Sequence, residues 1–236
     1  MMTMTPGARF PRIRALATDY DGTLADRGVV DDRTWDALKR FQRSGRRLVL
    51  VTGRELGELL ALCPRIAVFD RVVVENGGLL YRPLDQTEQR LAAPPDAAFV
   101  ATLRARGVGP IAVGRTIVAT WQPHAPTVEA VIQEQNLPLR VTLNKRAVMI
   151  LPDGVDKASG LIQALREMDL TPHDAAGVGD AENDLAFLRI CGRSAAVANA
   201  LPALRDQVER VTQGERGAGV AEWIDLLLAD GSVPEA

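Results

Sequence analysis

This chain of 236 residues has few cysteines and almost no net charge. Its two cysteines, Cys63 and Cys191, lie far apart and match no metal-ligand spacing, so a disulfide framework is not expected. The 28 lysines and arginines nearly balance the 30 acidic residues, which gives a formal net charge of -2. Such a balance offers no electrostatic basis for binding nucleic acid or an acidic membrane surface. We therefore expect two buried, reduced cysteines and no nucleic-acid partner.

Long apolar runs, targeting signals and repeats are also missing. No apolar run approaches the roughly 20 residues that are needed to cross a bilayer. Residues 1–10 contain no apolar segment of signal-peptide length, and no internal repeat or low-complexity tract is present. We therefore expect a cytoplasmic protein without a membrane partner, either a monomer or a homodimer. Residues 231–236 are expected to be a frayed tail.

The chain does have an ordinary globular composition, with 47% hydrophobic and 25% charged residues. Apolar runs at 13–18, 48–51, 72–74, 175–179 and 194–198 predict buried strands, and the amphipathic segments between them predict helices. Short apolar strands that alternate with helices indicate a parallel sheet covered on both faces. The sequence therefore predicts an α/β fold with a doubly wound, Rossmann-like core.

The middle of the chain shows a different pattern. Residues 83–95 are polar and rich in turn formers, and two predicted helices and four short predicted strands follow them. This pattern suggests a small antiparallel sheet with helices on one face. We interpret it as a small α/β domain, residues 82–152, inserted into a core that is formed by residues 1–81 and 153–236.

The first of four polar clusters is Asp19-Tyr20-Asp21-Gly22-Thr23, at the end of the first predicted strand. Ligands of open α/β sheets bind at the carboxyl ends of strands, so distant segments can meet there. Two adjacent carboxylates repel each other, and a divalent cation would keep both ionised. A carboxylate can also attack phosphorus and form an acyl phosphate. The alternative interpretation is an ordinary turn, in which Asp, Gly and Thr are common.

The second and third clusters are individually weaker signals. Thr52-Gly53-Arg54 ends a predicted strand, where a hydroxyl and backbone N–H groups suit a phosphate oxygen. The alternative there is a simple helix entry. Lys157 lies in the first turn of a predicted helix, where its charge has the wrong sign for the helix dipole. That position favours a role in neutralising an anion, although an ordinary surface lysine is the alternative.

The fourth cluster places four oxygen-bearing side chains in one strand-to-helix turn. They are Asp180, Glu182, Asn183 and Asp184. Oxygen ligands at such a turn suit magnesium, which prefers octahedral oxygen coordination and keeps several waters. A capping carboxylate would explain one of these acids but not all of them. We expect the Glu182 side chain to face solvent.

Taken in order, the four clusters resemble the motifs of the haloacid dehalogenase superfamily of phosphohydrolases. The matching pattern is Asp-x-Asp-Gly-Thr, a Thr after a strand, a Lys, and Gly-Asp-x-x-Asn-Asp. The long insertion between Thr52 and Lys157 is similar to that of the Cof-like subgroup, whose C2-type (IIB) caps are small α/β units. The resemblance covers essentially the whole chain. It implies a magnesium-dependent phosphatase for a small phosphate ester, such as a sugar phosphate or phosphoglycolate.

The resemblance also implies a role for each matching residue. Asp19 would be the nucleophile, and Asp21 would be the general acid for the leaving oxygen and later the base that activates water. The phosphoryl group would be bound by Thr52, Gly53 and Lys157. Magnesium would be bound by the Asp19 carboxylate, the Asp21 backbone carbonyl and Asp180, in a shell completed or oriented by Asn183 and Asp184.

Caps of this type line the site with polar residues, so the insertion supplies further candidates. The candidates in the insertion are His124, Arg140, Asn144, Lys145 and Arg146. The candidates in the core are Arg54 and Asn76. Residues 144–146 lie between two predicted strands, so a solvated hairpin turn is the alternative. The tryptophans are expected to be packing residues rather than substrate platforms; they are Trp35, Trp121 and Trp223.

Two other functions compete with hydrolysis. A phosphomutase of the same superfamily would return the phosphate to the same sugar. A phospho-accepting signalling domain is also doubly wound and carries a phosphorylatable Asp and a metal. Asp21 argues against the signalling domain, because it supplies an acid and base that a long-lived phospho-aspartate would not want. The large insertion also points to a sequestered substrate.

Overall fold

The computed structural model describes residues 13–230. The expectations for residues 1–10 and 231–236 lie outside the described residues. In chain order, the strands are β1 (Ala15–Thr18), β2 (Arg47–Val51), β3 (Arg71–Val74), β4 (Leu79–Arg82), β5 (Thr87–Arg90), β6 (Ala112–Val113), β7 (Val118–Trp121), β8 (Leu139–Asn144), β9 (Ala147–Pro152), β10 (Ala175–Gly179), β11 (Arg193–Ala196) and β12 (Arg210–Val211). The α-helices are α1 (Asp32–Arg43), α2 (Leu56–Leu62), α3 (Ala97–Ala105), α4 (Ala125–Glu134), α5 (Lys157–Arg166), α6 (Leu185–Ile190), α7 (Pro202–Arg205) and α8 (Arg216–Ala229).

The main sheet has eight strands in the order β12-β11-β10-β1-β2-β3-β4-β5. The strands from β12 to β3 run parallel, and β4 and β5 extend the sheet antiparallel. Helix α1 packs against α8 and β2, whereas α5 packs against α6, β2 and β3. The central strand β1 is buried along its whole length, as expected for a strand with sheet neighbours and helices around it. The predicted α/β, doubly wound core is confirmed.

Helix α1 illustrates how the sequence sets an element of this core. Its cap residue Asp31 accepts a hydrogen bond from the backbone N–H of Thr34 (2.7 Å), which satisfies one of the free donors of the first turn. Trp35, Leu38 and Phe41 recur at helical spacing and are all buried. Burying each of these side chains contributes about 1.5–3 kcal/mol, so this face holds the helix on the sheet.

The insertion contains its own antiparallel sheet, in the order β6-β7-β9-β8. Helices α3 and α4 pack on one face of it, around Phe99, Leu103 and Val128. Strand residues alternate between the faces, so Val118 and Ile150 join this cluster. Ile117 and Met149 belong to a separate small cluster. The sheet thus has one face for its own helices and another face for the core domain.

The start of the insertion differs from the sequence-based interpretation in one respect. Strand β5 pairs with β4, with Leu79 opposite Arg90, and therefore belongs to the main sheet. Its side chains are mostly exposed because it is an edge strand, so the polar stretch 83–95 carried no strand signal. We propose that the inserted domain starts after Arg90 and ends at Pro152.

Both cysteines are free in the described part of the chain. Burial raises the pKa of Cys63 to about 11 and that of Cys191 to about 12, so both are thiols at neutral pH. Between residues 13 and 230, every helix is too short or too polar to cross a membrane.

Candidate active site

The polar clusters meet because neighbouring strands end at the same edge of the main sheet. Asp19 follows β1 and Asp180 follows β10, and these two parallel strands pair with Thr18 opposite Val178. Thr52 follows β2, the other neighbour of β1. The parallel arrangement therefore gathers segments that are more than a hundred residues apart in the chain around one point.

Lys157 lies at the centre of this arrangement. It is 1% exposed, and its Nζ donates to Oδ1 of Asp19 (2.5 Å) and to Oδ1 of Asp184 (2.6 Å). Burial alone would lower the pKa of Lys157, but Asp184 and Asp19 together raise it, so the side chain is an ammonium. Its place at the start of α5 is fixed by the capping pair Asp156 and Ser159. The lysine thus joins the first and fourth clusters.

Three buried carboxylates, those of Asp19, Asp180 and Asp184, form an acidic cluster whose ligand atoms lie within 4.8 Å of one another. Burial raises the pKa of Asp19 to about 8; Lys157 opposes this shift, and Asp184 and Asp180 add to it. Burial also raises the pKa of Asp180. Lys157 and the half-exposed Lys145 do not balance three carboxylates, so the cluster is suited to a divalent cation.

Asp184 holds the turn that carries this cluster. Its Oδ2 accepts the backbone N–H groups of Asp180 (2.8 Å) and Ala181 (2.9 Å), and its Oδ1 accepts Lys157. Both carboxylate oxygens are therefore engaged within the protein. Asp180 has side-chain partners instead, because its Oδ1 accepts from the Thr23 hydroxyl (3.1 Å) and its Oδ2 from Nζ of Lys145 in the insertion (2.9 Å).

Asn183 and Asn76 form a buried pair beside the acidic cluster. Nδ2 of Asn183 donates to Oδ1 of Asn76 (3.1 Å), and Asn76 has a left-handed backbone with φ of 54°. Oδ1 of Asn183 is buried without a hydrogen-bond partner. A buried acceptor without a partner is costly unless a cation or a water satisfies it. Carboxylate and amide oxygens are what a hard cation such as magnesium prefers, so the residues present fit such an ion.

The carboxylate of Asp21 has a different partner from the other acids. Arg54 binds both of its oxygens, with Nε 2.5 Å from Oδ2 and Nη2 2.7 Å from Oδ1. Such two-point pairs fix the orientation of a carboxylate. The sequence indicated Arg54 only as a substrate candidate, and nothing in the spacing of the two residues indicated this ion pair.

Two of the three residues predicted to bind phosphate, Thr52 and Gly53, line a cavity of about 680 Å³, whereas Lys157 is buried behind Asp19 and does not line it. Thr52 is 1% exposed, and its hydroxyl accepts the backbone N–H of Arg54 (3.2 Å). Thr52, Gly53 and Arg54 share the cavity with Asp19 and Asp21. The structure therefore places the proposed nucleophile, acid and phosphate-binding turn around one space.

The insertion supplies the opposite side of this cavity. Residues 145 and 146 form the turn between β8 and β9, and residues 144–146 line the cavity. Nζ of Lys145 donates to Oδ2 of Asp180 (2.9 Å), and the backbone N–H of Lys145 donates to the exposed Glu182 (3.3 Å). The turn of the insertion thus reaches the acidic cluster itself.

Two other predicted residues of the insertion, Arg140 and His124, have partners that do not line the cavity. Arg140 donates to Oδ2 of Asp156 (2.9 Å), and the ring of His124 is 2.9 Å from the carbonyl oxygen of Gly109. Arg140 therefore links the insertion to the start of α5. His124 stabilises a loop of the insertion rather than a site.

Trp121 does not have the packing role expected for it. Trp35 and Trp223 are buried as expected, but Trp121 is 54% exposed and lines the cavity. The signal for this position was the alternation of β7, in which residues 117, 119 and 121 share one face. Sequence alone did not show that this face turns toward the active site.

Glu75 attaches the insertion to the core and was not among the predicted residues. It follows β3, is 1% exposed, and its Oε2 accepts from the backbone N–H of Thr116 (2.7 Å), its hydroxyl (2.8 Å) and the N–H of Ile117 (3.2 Å). Its Oε1 accepts the backbone N–H of Arg115 (3.1 Å). Four donors around one buried carboxylate hold the insertion over the site.

Comparison with known proteins gives concordant results. The family model described as haloacid dehalogenase-like hydrolase matches residues 16–101 and 127–224. The chain is 31% identical over 220 residues to the phosphoglycolate phosphatase of Methanothermobacter thermautotrophicus, covering 90% of this chain and 97% of that protein.

Two solved structures show the same fold. A haloacid dehalogenase-like hydrolase from Bacteroides thetaiotaomicron superposes with a TM-score of 0.78 at 19% identity, covering 91% of this chain and 99% of its own. A sugar phosphatase of haloacid dehalogenase subclass IIB superposes with a TM-score of 0.76 at 16% identity, covering 90% and 98%. At these identities the likeness concerns the fold alone.

Proposed function

Since this chain belongs to the haloacid dehalogenase-like hydrolase family and is a phosphatase, we propose that it hydrolyses a small phosphate monoester with magnesium through a phospho-aspartate on Asp19. The observation that carries this proposal is the buried contact of Lys157 with Asp19 and Asp184, beside Asp180 and at the edge of the cavity. Relatives named phosphoglycolate phosphatase support a small phosphorylated metabolite as the substrate.

In the first step, the carboxylate of Asp19 attacks phosphorus. Lys157 binds Oδ1 of Asp19, so the other oxygen is the one proposed to form the new O–P bond. The ester P–O bond breaks, and the leaving oxygen takes a proton from Asp21. Thr52, the backbone of Gly53, and Lys157 bind the phosphoryl oxygens while charge develops on them.

In the second step, water replaces the aspartyl oxygen. Asp21, now a carboxylate, accepts a proton from the attacking water. The O–P bond to Asp19 breaks, which releases phosphate and restores the free carboxylate. The two-point contact with Arg54 orients Asp21 as a carboxylate, so Asp21 separates from Arg54 when it carries the proton, and Asn76 positions Asn183.

Magnesium, when bound, would supply positive charge that neutralises the transferring phosphoryl group. The residues proposed to hold it are Asp19, the backbone carbonyl of Asp21, Asp180 and Asn183. Asp184 is proposed to act indirectly, because its two oxygens already bind Lys157 and the backbone of the turn. Removing the ion with a chelator should therefore abolish phosphate release, and added magnesium should restore it.

The test of the nucleophile is Asp19→Asn. We expect kcat to fall by about 1,000-fold or more, because an amide cannot form the acyl phosphate. The assay is release of inorganic phosphate from phosphoglycolate and a panel of sugar phosphates, with circular dichroism to show that the fold is retained. The matched control is Asp36→Asn on the exposed face of α1, which should keep full activity.

Asp21→Asn provides the complementary result. Without the base for the second step, a substrate with a good leaving group should leave phosphate trapped on Asp19, detectable by mass spectrometry. Retention of most activity in Asp19→Asn would reject the assignment. Phosphate that moves to another hydroxyl of the same sugar would identify a mutase, and a long-lived phosphoprotein in the unaltered chain would identify a signalling domain.

A further inference from the structure

One side of the active-site cavity is formed by uncharged side chains of the inserted sheet. We call these six residues the apolar wall: Ala112, Ile117, Ala119, Trp121, Ala147 and Met149. They belong to β6, β7, β9 and the residue before β7. The hydroxyl of Thr120, which also lines the cavity, donates its proton to the carbonyl oxygen of Pro110 (2.8 Å) and so does not donate to a ligand.

The strand register places the apolar wall on one face of the inserted sheet, where Ile117 and Met149 are buried and the other four residues are exposed or half-buried. Ala119 lies opposite Ala112 on one side and opposite Met149 on the other, and Trp121 lies opposite Ala147. Side chains of directly opposite residues are neighbours on the same face. The methyl groups of the alanines therefore lie on the same face of the sheet as the indole of Trp121.

Trp121 differs from the other two tryptophans because its side chain is exposed. It is 54% exposed, whereas Trp35 and Trp223 are buried. Leaving a large aromatic surface in water is unfavourable, and a ligand ring placed against it would remove that surface from water. The charged cavity residues of the insertion, Lys145 and Arg146, precede Ala147, the residue opposite Trp121, and Lys145 is directed to Asp180.

The size of the cavity also argues for a substrate larger than phosphoglycolate. Its volume of about 680 Å³ falls in the range of about 300–1,000 Å³ that is typical of sites for drug-sized ligands. A phosphoryl group with a two-carbon acid would leave most of the apolar wall uncovered. It would also place no group against Trp121 that the indole could bind well.

The apolar wall comes largely from a part of the chain outside the family match. Residues 102–126 fall between the two matched segments, and they supply Ala112, Ile117, Ala119 and Trp121. The catalytic clusters all lie inside the matched segments. The surface that would contact the leaving group thus lies largely outside the segments that match the family model.

We propose, resting on the phosphatase function proposed above, that the cavity accepts phosphate esters whose alcohol carries an aromatic ring. The phosphoryl group lies at Asp19, and the ring lies over the alanines of the apolar wall and against Trp121. The alcohol leaves toward the wall after its oxygen has received the proton from Asp21.

The first test compares two esters with the same type of leaving oxygen, phenylpropyl phosphate and propyl phosphate, in the presence of magnesium. We expect kcat/KM for phenylpropyl phosphate to be higher by about 10-fold or more, because only its ring covers the apolar wall. Both leaving groups are primary alcohols, so the difference reports binding of the ring and not intrinsic reactivity. Equal values for the two esters would overturn the proposal.

The second test removes the ring of Trp121. Trp121→Ala should reduce the preference for phenylpropyl phosphate over propyl phosphate by about 5-fold or more, mainly through the KM of the phenylpropyl ester. The matched control is Leu143→Ala, an exposed apolar residue of the same sheet that does not contribute to the apolar wall. It should leave the preference unchanged. An unchanged preference in Trp121→Ala would contradict the proposed ring site.

A binding measurement separates this proposal from the proposed hydrolysis. Calorimetry with phenylbutylphosphonate and butylphosphonate, which cannot be hydrolysed, should give about 10-fold tighter binding of the former, and Trp121→Ala should abolish the difference. If no ester releases phosphate but this difference is present, the hydrolase proposal fails and the ring site stands. If all esters release phosphate and the two phosphonates bind equally, the ring site alone is rejected.

Discussion

Gly22 lies where the turn after β1 passes closest to Asp180. Its backbone has φ of +88°, and a Cβ at this position would collide with Oδ2 of Asp180. We predict that Gly22→Ala displaces the Asp180 carboxylate and weakens magnesium binding by about 10-fold or more. Calorimetric titration with magnesium measures the effect.

Gly107 provides the control for backbone strain in this prediction. It has φ of +76°, but a Cβ there would meet nothing within 4 Å. Gly107→Ala should therefore cost about 1 kcal/mol of stability, as any left-handed alanine does, without changing magnesium affinity. Equal magnesium affinity in Gly22→Ala and the unaltered protein would show that the close approach to Asp180 does not matter.

The sequence predicted which residues meet in the site in some cases and not in others. The meeting of Asp19, Lys157 and Asp180 followed from topology, because parallel strands end at one edge and α5 begins there. The pair of Asp21 with Arg54 could not be predicted, because it depends on the rotamers of two side chains on different loops. Local sequence does not determine such contacts.

The end of α5 is attached to the main sheet by a partly buried ion-pair network. Glu167 follows α5 and accepts from Arg71 of β3 (2.7 Å) and from Arg82 of β4 (2.7 Å). Its side chain is 15% exposed. Arg82 first, and then Arg71, hold the pKa of Glu167 below its ordinary value of 4.5. The network therefore stabilises the folded chain only while Glu167 is ionised.

We predict that Glu167→Gln lowers the free energy of unfolding by about 1–2 kcal/mol at neutral pH. Because the folded pKa is depressed, the contribution is fully present above the unfolded value near 4.5 and is lost as the pH falls through the folded value. The difference between variant and unaltered protein should thus shrink in acid. Urea unfolding at several pH values measures it.

The control for this prediction is an ion pair at the surface. Asp225 pairs with Arg40 (2.6 Å), but their side chains are 61% and 47% exposed. Asp225→Asn should change the free energy of unfolding by less than about 0.5 kcal/mol at any pH, because water screens such pairs. A loss in Glu167→Gln that stays constant into acid would show that charge is not its cause.

Secondary structure elements were predictable where burial was complete. Four strands can be recognised in the sequence as apolar runs, because both faces of the sheet are covered where they lie. They are β1, β2, β3 and β10. The edge strands β5 and β12 were not predicted. They have exposed side chains or only two residues, so their hydrogen bonds to a neighbouring strand, and not their sequences, define them.

At the scale of the whole molecule, the insertion places a positive charge on the acidic cluster of the core. Nζ of Lys145 is 2.9 Å from Oδ2 of Asp180, a proposed magnesium ligand. An ammonium group and a cation compete for the same carboxylate. We predict that Lys145→Met tightens magnesium binding by about 2- to 5-fold, a modest effect because the Lys145 side chain is 49% exposed.

Calorimetry with magnesium alone tests this competition without any substrate. The control is Lys39→Met on α1, which removes one positive charge away from the cluster and should leave the affinity unchanged. Weaker magnesium binding in Lys145→Met would mean that the lysine assists the site rather than competing with the ion.

The architecture as a whole was predictable, but the surface between its two parts was not. The order of the motifs and the spacing between Thr52 and Lys157 predicted a doubly wound core with an insertion. The exposure of Trp121 toward the core depends on how the inserted sheet is placed, and that placement is set by contacts such as those of Glu75. Such long-range contacts have no local sequence pattern.

The attachment through Glu75 has a consequence for how such enzymes diversify. Three of its four donors are main-chain amides, which every residue except proline carries, and only the Thr116 hydroxyl depends on side-chain identity. Provided that Gly114 is kept, because a Cβ there would lie 2.8 Å from Oε2 of Glu75, side chains of the neighbouring loop and strands can change while this attachment is retained. Substrate preference can therefore change through the insertion while the catalytic residues of the core stay the same.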